Sequence, residues 1–188
     1  MRKKDDKKIE AIKKTVIKLI RDYGFHGISM AKIAKEAGVS PATIYIYYEN
    51  KSIMIHEIYH ELRMERHNFI HLNINSEMNA KESLRTIYKS YYNYIINHED
   101  EFYFIKQFSS CPCLYDEIQA QQYSVKLDGL LNKFKENKEI KDLSNKIIDS
   151  ILFSPIESIA EDFFVGGVNF SEEEIDKMFE LVWNSIEY

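Results

Sequence analysis

The sequence predicts an all-α protein of about nine helices: an N-terminal three-helix head over 1–50 and a helical body over 51–188. Three observations carry this. Only three Pro and six Gly occur in 188 residues, few enough for long helices. Apolar residues recur at three- and four-residue spacing along most of the chain. Ser and Asn stand where helices should begin, twice with Glu three residues later. Hydrophobic residues make up 45% of the chain and aromatic ones 13%, enough for a substantial core.

Arg2 to Lys8 is a charged arm. The first helix runs from about Lys7 to Tyr23, with Ile9, Ile12, Val16, Leu19, Ile20 and Tyr23 at helical spacing. Phe25 and Ile28 should seal the head. Ser29 is a good N-cap for a second helix, which buries Met30, Ile33, Ala34 and Ala37. Gly38 stops that helix, because it accepts a left-handed backbone. Ser40 caps a third, and Pro41 takes its first position, where the missing N–H costs nothing. Two short helices joined by a tight Gly-containing turn form a helix-turn-helix. Ile44 and Tyr48 lie four apart and pack inward. The other face offers Ala42, Thr43, Tyr45 and Tyr47 to a DNA groove.

Asn50 caps the fourth helix and Lys51 sits in its first turn. A helix running on to about Leu72 is about 33 Å long and links head to body without a tether. Asn79 with Glu82 is a capping box for the fifth helix, which presents Leu84, Ile87, Tyr88, Tyr91, Tyr92 and Ile95. The Asn97-His98 pair breaks it before a short sixth helix with Phe102, Phe104, Ile105 and Phe108. The seventh runs from near Pro112 to about Lys135. The eighth spans roughly Asp142 to Val165, with Pro155 inside as an expected kink and Gly166-Gly167 as its stop. Ser171 with Glu174 opens the ninth. The last two helices carry more apolar surface than a small body can bury, which points to an interface.

Charge is uneven. Residues 1–51 hold 12 Lys and Arg against 6 Asp and Glu, whereas the remainder holds 13 against 24. A basic head on an acidic body suits attraction to phosphate, with the body repelled from DNA. No run of about 20 apolar residues predicts a membrane span, and no apolar signal region follows the basic N-terminus. Two Cys two positions apart make no disulfide framework. The expected location is the cytoplasm.

The stretch Ser29 to Lys51 closely resembles the DNA-binding domain of the TetR family of bacterial transcriptional regulators. The resemblance rests on Tyr23-Gly24-Phe25, Gly27, Ser29, Ile33, Ala34, Ala37-Gly38-Val39-Ser40, Thr43-Ile44-Tyr45, Tyr47 and Lys51. It covers about the first quarter of the chain. Ala42 stands for the usual Gly and Tyr48 for the usual Phe, so the Tyr48 hydroxyl needs a partner or the surface. The resemblance implies a homodimer through helices eight and nine, double-stranded operator DNA as partner, and repression relieved by a small-molecule effector of unknown identity. It points to Ser29, Pro41, Ala42, Thr43, Tyr45, Tyr47 and Lys51 as DNA-contacting. Ser29, Tyr45 and Lys51 would meet phosphates. It also implies an effector pocket among helices four to seven, where aromatic rings interleave with polar groups. Candidate lining residues are His67, Tyr88, Tyr91, Phe104 and Gln107.

A metal- or redox-responsive regulator is the alternative. His56, His60, His67 and His71 fall in one sector of the fourth helix, and each i, i+4 pair has chelating spacing. A polar seam beside the apolar face explains them equally. Cys111-Pro112-Cys113 would sense oxidants if one thiol were acidic and exposed, and is packing otherwise. The sequence has no phosphate-cradling Gly-rich loop and no nucleophile elbow, so no enzymatic reaction and no cofactor is expected.

Overall fold

The computed structural model describes residues 2–109 and 117–188, and side chains over 6–109 and 125–188. Among the described residues all named elements are helices: α1 (Arg2–Tyr23), α2 (Met30–Glu36), α3 (Pro41–Tyr47), α4 (Lys51–Ile70), α5 (Ala80–Asn97), α6 (Glu99–Ser109), α7 (Glu117–Glu136), α8 (Asn145–Gly166) and α9 (Glu172–Ile186). The helical arm reaches back to Arg2, beyond the Lys7 expected from periodicity. The α8 start lies three residues later than Asp142, because Ser144 takes the cap and accepts from the Ile147 amide. The helix continues through Pro155. Pro112, Cys111 and Cys113 lie outside the described residues.

Local chemistry fixes most helix starts. The side-chain oxygens of Ser29, Ser40 and Asn50 accept from the amides of Lys32 (3.2 Å), Thr43 (3.1 Å) and Ile53 (3.0 Å). Asn79 with Glu82 and Ser171 with Glu174 close reciprocal capping boxes. Each cap satisfies an amide that the helix itself leaves unpaired, typically stabilising by about 1 kcal/mol. Gly38 ends α2 with φ +67°, and the amides of Gly38 and Val39 donate back to Lys35 and Ala34 at 3.3 and 2.9 Å. That pair of bonds turns the chain sharply into α3.

The chain divides into two compact units. The first runs to Arg63 and takes in the segment that begins at Asp100. Its core joins Ile12, Val16, Ile17, Leu19 and Ile20 of α1 to Ile33, Ala34, Ile44 and Tyr48. The N-terminal half of α4 adds Met54, Ile55, Ile58 and Leu62, and α6 adds Phe104, Ile105 and Phe108. Arg21 of α1 pairs with Asp100 at the start of α6, and Lys13 pairs with Glu61 at 3.1 Å. The head is therefore larger than a three-helix unit over 1–50: α4 and α6 complete its core.

The second unit begins at Met64, continues to Glu99 and resumes on the far side of α6. Here α5 packs against α8 and α9. Tyr88 meets Phe179 edge-on with ring centres 5.4 Å apart, and Phe179 stacks on Trp183. Along the rim Lys81 and Arg85 of α5 pair with Glu180 of α9, and Lys89 pairs with Asp176 at 2.8 Å. These pairs are partly exposed, so each adds little stability, but spaced at i, i+4 and i+8 they fix the register of α9 on α5. α4 begins in the first unit and ends in the second without a break.

Candidate nucleic-acid interface and effector region

The reading surface is set by the burial of α3. Ile44 is fully buried and Tyr48 nearly so, which anchors one side of the helix in the core. Pro41, Ala42, Tyr45 and Ile46 are exposed on the other side. Ile46 is 76% exposed and Tyr45 55%. Tyr47 does not share this face: it is half-buried and packs on the core cluster. The reason is helical spacing, since Tyr47 lies three residues after the fully buried Ile44 and turns with it. Ile46 takes the outward place that the sequence reading gave to Tyr47. Its solvent-facing position could have been read from its spacing with Ala42. Thr43 is half-buried, and its hydroxyl lies 2.8 Å from the Ser40 hydroxyl. Ser29, at the start of α2, is exposed beyond its capping bond.

Lys51 is drawn into the protein. Its Nζ donates to the carbonyls of Phe25 (3.0 Å) and Ile28 (3.2 Å) and lies 4.3 Å from the centre of the Phe25 ring. The ammonium thus ties the α1–α2 turn to the start of α4, with one N–H beyond these two bonds. The same turn depends on Gly27, where a Cβ would stand 2.3 Å from the Tyr23 carbonyl oxygen. Lys32, which sequence reasoning passed over, lies on the Tyr23 ring with its ammonium 3.2 Å from the centre. Tyr48 is buried, and its phenol is pushed up to about 12 by desolvation and by the nearby carboxylates of Glu57, Glu61 and Glu10.

The effector candidates fall in both units. His67, Tyr88 and Tyr91 belong to the second; Phe104 and Gln107 belong to the first. Phe104 is part of the head core, and Gln107 is exposed, its amide nitrogen near Gly24. The second unit holds the unusual chemistry. His67 is only 7% exposed, and its pKa falls to about 4 through burial, the His71 ring and Lys126, against an opposing pull from Asn68. Its ring lies 4.3 Å from that of His71, whose Nδ1 bonds to the His67 carbonyl at 2.8 Å. Tyr88 is fully buried, its hydroxyl has no hydrogen-bond partner among the described residues, and desolvation raises its pKa. Tyr91 donates to Glu157 at 2.6 Å and lies under the Arg66 guanidinium. One carboxylate oxygen of Asp149 is also buried and has no partner among the described residues; burial and Asp128 push its pKa up to about 6. Buried polar atoms without partners are rare, and several in one small unit suit a site that a polar ligand or water completes.

His56 and His60 lie on the part of α4 in the first unit and His67 on the part in the second, with His71 in the turn just after the helix. Among the described residues no three His, Cys, Asp or Glu converge on a metal position. No described helix is long and apolar enough to cross a membrane.

Two family models match the chain. "Bacterial regulatory proteins, tetR family" covers residues 14–58, and "Tetracyclin repressor-like, C-terminal domain" covers 79–187. The structure is similar to a TetR family transcription regulator of Marinobacter aquaeolei VT8, with TM-score 0.92 and 25% identity over 100% of this chain and 99% of that one. In sequence the chain is 24% identical over 150 residues to a fatty acid metabolism regulator protein of Bacillus subtilis, 75% of each chain. The fold is also that of the Bacillus subtilis transcriptional regulator FadR in complex with stearoyl-CoA, with TM-score 0.72 and 20% identity over 95% of this chain and 99% of that one.

Proposed function

We propose, from the premise that the chain belongs to the tetR family of bacterial regulatory proteins, how this ligand-responsive, DNA-binding transcriptional regulator works. It is a homodimeric repressor that leaves its operator when a small molecule fills the second unit. The observation that carries the DNA-binding part is the capped helix-turn-helix, with Ala42, Tyr45 and Ile46 held outward by the burial of Ile44 and Tyr48. Pro41 and Ala42 approach base edges or backbone at the helix start, Thr43 and Tyr45 hydrogen-bond near the groove edge, and Ser29 meets a phosphate. Lys51 serves first as a strut for the α1–α2 turn and offers its remaining N–H to the backbone. Tyr47 acts by holding α3 in place.

Dimerisation through α8 and α9 is supported by apolar side chains left outside the core. Val165 is 84% exposed and Leu181 72%, with Ile147 and Val168 about half exposed. A two-fold pair would present two heads to two half-sites.

For the effector, the buried His67 imidazole, together with the Tyr88 hydroxyl and an Asp149 carboxylate oxygen that have no partner among the described residues, favours an amphipathic molecule with a hydrogen-bonding head. Long-chain acyl compounds are the first class to test, given the Bacillus subtilis relative named for fatty acid metabolism. Because α4 runs unbroken from one unit into the other, occupancy in the second unit can be felt at Lys51. Release follows only if the effector prefers the state that does not bind DNA. The test is a gel shift on DNA from immediately upstream of the gene, with salt and then fatty acids and acyl-CoAs titrated in. Salt-sensitive, sequence-specific binding that an acyl compound abolishes is the expected result. Specific binding that no saturating effector weakens would overturn induction by release.

A further inference from the structure

We infer that the chain reads its operator chiefly through thymine methyl groups, with Ile46 as a specificity-determining residue. The inference rests on the DNA-binding reading above and concerns what that surface recognises.

The argument begins with what α3 lacks. Its seven residues are Pro, Ala, Thr, Ile, Tyr, Ile and Tyr. None is the Arg or Lys that grips guanine, the Asn or Gln that pairs with adenine, or the Asp or Glu that accepts from cytosine. The hydroxyl of Thr43, already bonded to Ser40 at 2.8 Å, pairs with either base of a pair and so carries little sequence information. What α3 presents is instead an apolar strip. Ala42 and Ile46 lie four residues apart on the exposed side, with Tyr45 beside them.

An isoleucine 76% exposed on a seven-residue helix is solvated at a cost unless a partner covers it. In the major groove only thymine offers an apolar group, its C5-methyl. Four residues rise about 6 Å along a helix, close to two base steps of about 3.4 Å. Ala42 and Ile46 therefore suit two methyls about two steps apart, and each half-site should hold an A·T-rich centre.

The experiment uses the full chain. Duplexes are selected from a random library, and each thymine of a selected half-site is then replaced in turn by deoxyuridine. This removes one methyl and leaves base pairing intact. At one or two thymines the replacement should weaken wild-type binding about four-fold, the equivalent of one buried methylene. Ile46→Ala should weaken binding to the thymine duplex and lose the sensitivity at one of those thymines, while Ile46→Val keeps it. Ile46 is outside the core, so thermal melts of both variants should match the wild type.

A selected, salt-sensitive duplex that tolerates deoxyuridine everywhere overturns this inference and leaves the regulator reading intact. So does a sensitivity that Ile46→Ala retains in full. Failure to select any sequence overturns the regulator reading itself, and this inference with it.

Discussion

Lys51 and Phe25 meet twice: the ammonium lies 3.0 Å from the Phe25 carbonyl oxygen and 4.3 Å from the centre of its ring. With the second bond to Ile28, the lysine has a structural task before any role at DNA. Lys51→Met keeps the aliphatic stem and removes both bonds. It should destabilise the protein by about 1.5–3 kcal/mol, the range for hydrogen bonds to a charged group. Urea unfolding measures this. A purely phosphate-binding lysine would leave stability unchanged and lower the salt slope of operator binding by about one.

Gly27 and Gly38 should respond differently to alanine. At Gly27 the new Cβ would stand 2.3 Å from the Tyr23 carbonyl oxygen, so the turn must move. At Gly38 nothing lies within 4 Å, and only the φ of +67° is strained. Gly38→Ala should cost about 1–2 kcal/mol. Gly27→Ala should cost at least as much and also weaken DNA binding, because the moved turn carries both carbonyls that hold Lys51. Denaturation midpoints and gel shifts of the two variants test the ordering.

The buried titrating groups of the second unit give opposite pH dependences. The His67 pKa falls from 6.5 to about 4, so the unfolded chain binds the extra proton between these values. Its contribution is lost as pH falls through that window, by at most about 3 kcal/mol. His71, also lowered, acts in the same direction. Asp149 is raised from 3.8 to about 6, so the folded chain binds the extra proton and stability is lost as pH rises through that range. In the wild type the two largely offset. Relative to it, His67→Gln should gain stability as pH is lowered from 6.5 to 4, and Asp149→Asn should lose it. Parallel pH profiles for both variants and the wild type would mean that neither group titrates as its surroundings dictate.

Leu181 is 72% exposed on α9, a helix whose other large apolar residues are buried or half-buried. If α8 and α9 form the dimer, Leu181→Arg places a charge in an apolar interface and should shift the protein towards monomer by well over ten-fold. Sedimentation equilibrium reads the assembly and gel shift the loss of operator affinity. An unaltered dimer would put the interface elsewhere.

Much of the fold was legible because its signals are local. Ser29, Ser40, Asn50, Asn79 and Ser171 mark helix starts by bonds that span three residues, and each of those bonds is found. The sequence was less informative about which apolar faces meet. Periodicity shows that Phe104, Ile105 and Phe108 share an apolar side. It does not show that they pack with α1 and α4 in the head, where Phe104 forms part of the core. Tyr47 packs on the core while Ile46, left unassigned in the sequence reading, faces outward: in a seven-residue helix a one-position shift of the buried sector moves a side chain from solvent to core. For Lys51 the family resemblance implies a phosphate contact, and carbonyl partners 23 and 26 residues away leave no local trace from which its strut role could be read.

The head core draws on two stretches of chain that are far apart in sequence, closing only when Phe104, Ile105 and Phe108 of α6 join α1 to α4. During translation the reading helix α3 emerges long before the segment that completes its support. A ribosome that stops before α6 releases a chain with the groove-facing residues present and their foundation incomplete. Truncated products of this gene would thus carry α3 without its full support, and a properly seated reading helix would be reserved for chains translated past α6.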